Sequence, residues 1–175
     1  MTETTASAHA RHETIALSRV LAADPADVYL AFADVALRRR WVRMPGRTVE
    51  VAHDFRAGGG ERLEAVFTHP DGREERLLST MRYLALEPGH RLVYGYDSTV
   101  DGVVRWTALV TIELTPDGVG GTRLDWTEQV ALLVASGDGS ADLPHLRGAI
   151  ALRLNGLAMV LSDGPSLASA TPGTR

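Results

Sequence analysis

The sequence predicts an α+β domain in which a curved antiparallel sheet of about six or seven strands wraps a long C-terminal helix. Three observations carry that expectation. Between residues 48 and 132, short segments of alternating apolar and polar residues follow one another, parted by Pro-Asp-Gly, Glu-Pro-Gly and Gly-Gly signals, which is the pattern of successive hairpins. Ahead of them a strand-like segment runs straight into a sharply capped helix. Behind them, His145 to Leu161 has helical periodicity and apolar side chains over more than half its circumference, as a helix gripped by a sheet requires.

The elements follow in order. Glu13 to Leu21 places Ile15 and Leu17 in strand alternation and forms the first strand. Asp24-Pro25-Ala26-Asp27 supplies an N-cap acceptor, a proline whose missing N–H costs nothing at the first helical position, and an acid in the first turn. The helix that starts there carries Val28, Phe32 and Val35 on one stripe and is expected to run to Ala36, with an irregular stretch from Leu37 to Gly46 after it. Strands are expected at 48–55, 61–68, 74–86, 91–97, 103–114 and 122–132, with a sharp turn or bulge where Gly58-Gly59-Gly60 gives access to positive φ. A Ser/Gly/Asp loop from Ala135 to Asp142 leads into the final helix, whose Ile150, Leu154, Leu157 and Leu161 share one stripe. Residues 1–12 and 163–175 are too polar and too rich in small residues and proline to extend the core, so the domain is placed at 13–162 with unstructured ends.

Composition narrows the chemistry. At 175 residues the chain suits one domain that buries its own core. Zero cysteines exclude disulfides, thiolate ligands and a cysteine nucleophile. No apolar run has the length of a membrane span and no leader pattern opens the chain, so a cytoplasmic protein without membrane contact is expected. All 18 basic residues are arginine, scattered among 22 acids for a net charge of -4, which argues against nucleic acid as a partner. The one basic cluster, Arg38, Arg39, Arg40 and Arg43, is interrupted by Trp41 and Val42.

The order strand, helix, strands, long helix, taken with Pro25-Ala26-Asp27-Val28-Tyr29-Leu30-Ala31-Phe32, Trp41, Asp54-Phe55-Arg56-Ala57-Gly58-Gly59 and Leu86-Glu87-Pro88-Gly89-His90-Arg91-Leu92-Val93-Tyr94, resembles the START-like (SRPBCC) helix-grip superfamily. The nearest branch is similar to homologues of the heat-shock ATPase activator, and the likeness spans residues 13 to 161. The resemblance implies a cavity between the concave sheet face and the C-terminal helix, used across the superfamily for lipids, hormones, polyketides and aromatic compounds. It implies a pocket and no particular reaction, because members include carriers, cyclases and co-chaperone domains.

Several residues could furnish such a pocket. Alternation puts Leu124, Trp126, Glu128 and Val130 on one strand face, so Glu128 would point inward among apolar neighbours as a proton-transfer group or ligand partner. The alternatives are a bulge that turns it outward, or a buried carboxylate satisfied by Arg82 or Arg105. Trp106 falls in phase with Ala108, Val110 and Ile112, as pocket wall or as plain packing. Tyr94 and Tyr96 share a face and either meet a ligand or form a cross-strand ladder. Trp41 is read as a lid at the cavity mouth or a plug in the core, and His53, in phase with Val49, Val51 and Phe55, as an inward acid–base group or a satisfied core histidine.

The remaining signals are negative. The histidines lack metal-ligand spacing, so no metal and no cofactor is expected. The triple glycine lacks Gly-Lys-Ser/Thr and precedes a strand, and no Gly-x-Ser-x-Gly occurs.

Three functions remain open. The first is binding of a small, largely apolar molecule, lined by Trp41, Tyr94, Tyr96, Trp106, Trp126, Ile150, Leu154 and Leu157 and oriented by Glu128 and Arg82. The second is a polyketide cyclase or lyase-type enzyme using Glu128 in the same cavity, and the third a co-chaperone-like interaction domain using the basic cluster. A homodimer is compatible with any of them.

Overall fold

The computed structural model describes residues 9–163. Of the ends expected to be unstructured, 1–12 and 163–175, residues 1–8 and 164–175 lie outside the described residues, and Arg11 and His12 belong to the first strand instead, where they pair with the strand at 122–132. Seven antiparallel strands, β1 (Arg11–Leu21), β2 (Arg47–His53), β3 (Gly60–Thr68), β4 (Glu74–Glu87), β5 (Arg91–Val100), β6 (Val103–Pro116) and β7 (Thr122–Leu132), form one sheet in the order β1-β7-β6-β5-β4-β3-β2. Helices α1 (Pro25–Ala33) and α2 (Val35–Trp41) join β1 to β2, and α3 (Asp142–Ser162) closes the described chain. This is the expected helix-grip architecture, with strand ends displaced by a few residues.

The first helix differs from expectation. Asp24 caps α1 through a 2.9 Å bond from the Asp27 N–H, as the sequence indicates. The helix stops at Ala33 because Asp34 takes extended angles and caps a second helix through the Leu37 N–H at 2.8 Å. The first half of the stretch read as irregular is therefore α2, whose start repeats the aspartate cap of α1. That shift matters because α2 turns Arg38 and Trp41 into the interior, where both are buried.

The sheet's inner face carries the core. β6 and β7 pair without a slip from Trp106↔Leu132 to Pro116↔Thr122, so period-2 alternation is preserved along both strands. Leu124, Trp126, Glu128, Val130 and Leu132 are consequently buried together, facing Leu146, Ile150, Leu154, Leu157 and Leu161 of α3. α3 is held from the side by α1, α2 and β1. A Cβ on Gly156 would lie only 3.2 Å from the Trp41 Cβ, so glycine permits the close approach of α3 to α2. Arg19 donates from β1 to the Asn155 Oδ1, and Arg40 donates to Asp163 at 2.9 Å. Among the described residues no helix is long and apolar enough to cross a membrane.

The two α3 glycines should respond in opposite ways to a larger side chain. A Cβ on exposed Gly148 meets nothing within 4 Å, so Gly148→Ala should raise unfolding stability by roughly 0.5–1 kcal/mol through helix propensity. Gly156→Val should lower it by about 1–3 kcal/mol by forcing α3 off Trp41. Chemical denaturation of the two variants beside the parent checks both signs.

Candidate functional site

Three tyrosines, Tyr83 on β4 and Tyr94 and Tyr96 on β5, stand buried on the inner face. Their strands put them there: Tyr83 pairs with Tyr94 across β4 and β5, and Tyr96 lies two residues further along the same face. The rings join into a strip. Phe55 meets Tyr83 at 4.9 Å, Tyr83 meets Tyr94 at 6.1 Å, and Tyr94 meets Trp126 at 6.3 Å, each in edge-to-face geometry. Burial pushes all three phenols above their ordinary pKa, so they remain protonated donors at neutral pH.

At one end of the strip lies Glu128, fully buried. The Tyr96 hydroxyl donates to its Oε1 at 2.6 Å, and the Trp126 indole N–H donates to its Oε2 at 3.2 Å. The Trp106 N–H in turn donates to the Tyr96 oxygen at 3.1 Å. Glu128 is thus inward as alternation requires, with no bulge beside it, and its partners are phenol and indole instead of the two arginines considered. Arg105 bonds the Val134 carbonyl and Ser136 Oγ. Arg82 is exposed, because it alternates with inward Tyr83, and so stands on the opposite face from the pocket residues grouped with it. Besides Glu128, the charges that act here are Arg153 of α3, on both Tyr94 and Tyr96, and Arg38, on Tyr94; sequence periodicity did not single out Arg153.

At the other end the structure assembles a group that the sequence showed only in part. The Arg38 guanidinium grips Glu61 with two bonds, Nε to Oε2 and Nη2 to Oε1, the latter 3.0 Å. The same guanidinium lies over the rings of Phe32 and Trp41, 5.9 and 5.2 Å from their centroids. His53 is inward as expected, its Nδ1 3.1 Å from Glu61 Oε2. That contact is off the axis of a hydrogen bond, and neither ring nitrogen has an aligned partner. Burial alone would raise the Glu61 carboxyl, but Arg38 and His53 outweigh it and hold the group down at about 2 against an ordinary 4.5. A crevice of about 20 Å³ opens beside Arg38, His53, Glu61, Val42, Val51 and Leu63.

Tyr83 is positioned by the glycine turn that precedes β3. The Gly58 N–H donates to the Tyr83 carbonyl at 2.8 Å and the Tyr83 N–H to the Gly59 carbonyl at 2.9 Å, so the turn is laced onto β4. Gly58 sits at φ +80°, where a side chain would be strained. Glu61 follows immediately, in phase with buried Leu63 and Ala65, which is the one sequence signal that could have marked it as inward.

Other expected residues find their places on this frame. Trp41 is buried at 4% exposure, its indole N–H donating to the Ala31 carbonyl at 2.9 Å, so it plugs the space between α1, α2 and α3. Ile150, Leu154 and Leu157 face the strip from α3 and belong to one core cluster with Tyr94, Tyr96 and Trp126; Trp106 packs against that cluster partly exposed. The basic cluster is split: Arg38 is inside, Arg40 pairs with Asp163, and Arg39 and Arg43 are exposed. A broad open depression of about 650 Å³ lies over β1, β7 and β6, bounded by His12, Thr14, Thr107, Leu109 and Gln129. These alternate with the inward residues, so the depression is on the outer face, not under α3. Among the described residues, no group of three or more His, Cys, Asp or Glu is placed to hold a metal ion.

Fold and inner face together define a helix-grip domain with an aromatic interior. Residues 22–143 match the family Activator of Hsp90 ATPase homolog 1-like protein, and the chain belongs to that family. Solved structures agree. A protein from Rhizobium leguminosarum is 26% identical, with TM-score 0.77 over 89% of this chain and 98% of that one. Mll3558 from Rhizobium loti is 34% identical, with TM-score 0.68 over 87% of this chain and 99% of that one. DynU16, a protein of the dynemicin biosynthetic locus, is 18% identical, with TM-score 0.59 over 85% of this chain and 47% of that one, and shows the shared fold alone. No curated protein matches the sequence.

The Arg38–Glu61 pair predicts two measurable effects. Arg38→Leu leaves Glu61 charged and buried without its partner and should cost about 3–5 kcal/mol, most of it recovered in the double variant Arg38→Leu/Glu61→Leu. Because the folded-state pKa of Glu61 is depressed, its contribution is present above pH 4.5 and is lost as pH falls towards 2. Denaturation followed across that window should therefore show a shallower loss of stability in Glu61→Gln than in the parent.

Proposed function

We propose that this protein binds one small, largely apolar molecule, aromatic in character, between the inner face of the sheet and α3. The carrying observation is the strip Phe55–Tyr83–Tyr94–Trp126 with three buried phenols along it. A core that served packing alone would be more stable with phenylalanine at position 83, whose hydroxyl has no hydrogen-bond partner, because an unbonded buried hydroxyl carries a desolvation cost of about 1–3 kcal/mol. Family membership and the helix-grip neighbours support the same reading.

The side chains that would line the site are packed against one another, with Trp126 and Ile150 each 2% exposed and Leu157 fully buried. Binding would therefore proceed by displacement of side chains under α3, driven by apolar burial at about 25 cal/mol per Å² less the cost of opening. In this reading Glu128 is a positioning residue. Both its oxygens already accept bonds, so it holds Tyr96 and Trp126 in place, which favours binding over a cyclase or lyase reaction that would need Glu128 as proton carrier.

Native mass spectrometry of the purified protein beside its denatured mass should reveal a non-covalent adduct of small-molecule size. A bare protein whose melting temperature also ignores naphthalene and 1-anilinonaphthalene-8-sulfonate would overturn the reading. Glu128→Leu should cost about 2–4 kcal/mol in stability by stranding the Tyr96 hydroxyl and the Trp126 N–H, and a thermal or chemical melt reads it directly.

A further inference from the structure

Among the described residues, the buried side-chain polar atoms without a hydrogen-bond partner are the Tyr83 hydroxyl and the two ring nitrogens of His53. Native interiors leave few such groups, since each forfeits the bonds it would make in water. Here they fall on neighbouring side chains: the two rings meet edge to face at 6.0 Å, and both pack against Phe55. This stands in contrast to the Glu128 end of the strip, where carboxylate, phenol and indoles satisfy one another.

The chemistry of the two groups is complementary. His53 Nδ1 faces the Glu61 carboxylate, which favours the tautomer with its proton on that nitrogen and leaves Nε2 as an acceptor. Glu61 is itself fixed by Arg38, so the imidazole is backed by an oriented carboxylate. The Tyr83 phenol, kept protonated by burial, is a donor. An acceptor and a donor on two adjoining rings are what a hydroxyl group needs, because it gives one proton and receives another bond.

We propose that His53 Nε2 and the Tyr83 hydroxyl form the polar subsite of the binding site that opens when side chains under α3 are displaced, and that the ligand is an aryl alcohol whose hydroxyl donates to the first and accepts from the second. This rests on the binding reading above and names its substrate class. A ketone would engage Tyr83 alone and leave the imidazole unmet. A carboxylate would bring negative charge beside Glu61, whose own charge Arg38 already neutralises, so no net positive field remains to attract it. The apolar body of the ligand lies along Tyr94 and Trp126.

Dissociation constants for naphthalene, 1-naphthol and 1-naphthoate, measured calorimetrically on the parent, Tyr83→Phe and His53→Leu, test this. In the parent, 1-naphthol should bind at least about tenfold more tightly than naphthalene, the worth of a buried hydrogen-bonded hydroxyl. In either variant that ratio should fall to within about threefold. Tyr83→Phe removes only an unpartnered atom and so keeps the test valid if His53→Leu does not fold. An undiminished 1-naphthol preference in Tyr83→Phe, or tighter binding of 1-naphthoate than of 1-naphthol, overturns the aryl alcohol while leaving apolar binding intact. Failure of all three compounds to bind the parent removes the binding reading itself.

Discussion

The register of β6 on β7 holds without interruption from Trp106 to Pro116, over the full length of β7, and most of the interior follows from it. A slip of one residue would carry Trp126, Glu128 and Val130 to the outer face and turn Asp125, Thr127 and Gln129 inward in their stead. Because the register holds, a carboxylate is obliged to lie among leucines and indoles. The fold accommodates it with donors from two strands, Tyr96 on β5 and Trp126 on β7, and Trp106 on β6 donates in turn to the Tyr96 oxygen. The polar network therefore ties the centre of the sheet together through side chains as well as through the backbone ladder.

The two ends of the aromatic strip represent different solutions to buried polarity. Around Glu128 neutral donors meet a carboxylate. Around Glu61 a charged pair is buried, and its stability rests on the bidentate geometry of Arg38 and on two aromatic faces beneath the guanidinium. His53 and Tyr83 are left over from that arrangement. Both are costly to leave unbonded, yet are kept in place by their neighbours.

α2 links this chemistry to the helix that covers the sheet. Its single inward turn delivers Arg38 to Glu61 and Trp41 to Gly156 of α3, so the buried ion pair and the seating of α3 depend on the same seven-residue helix. A molecule that displaced side chains under α3 would act on α2 through Trp41, and through α2 on the Arg38–Glu61 pair.

Sequence by itself determined the hairpin series, the capped first helix, the gripped last helix and the inward phase of Glu128, Trp106 and His53, because these depend on local periodicity and on turn chemistry. It did not reveal α2, whose cap at Asp34 is masked by the continuous helical propensity of residues 25–41. Nor could it show that Arg38 leaves the basic cluster to meet Glu61, that Arg82 faces outward, or that Tyr83 and Arg153 approach the strip. Those facts belong to tertiary structure because they pair residues distant in sequence, and strand facing beyond a bulge, such as that between Tyr83 and Ala85, is fixed only by the neighbouring strand.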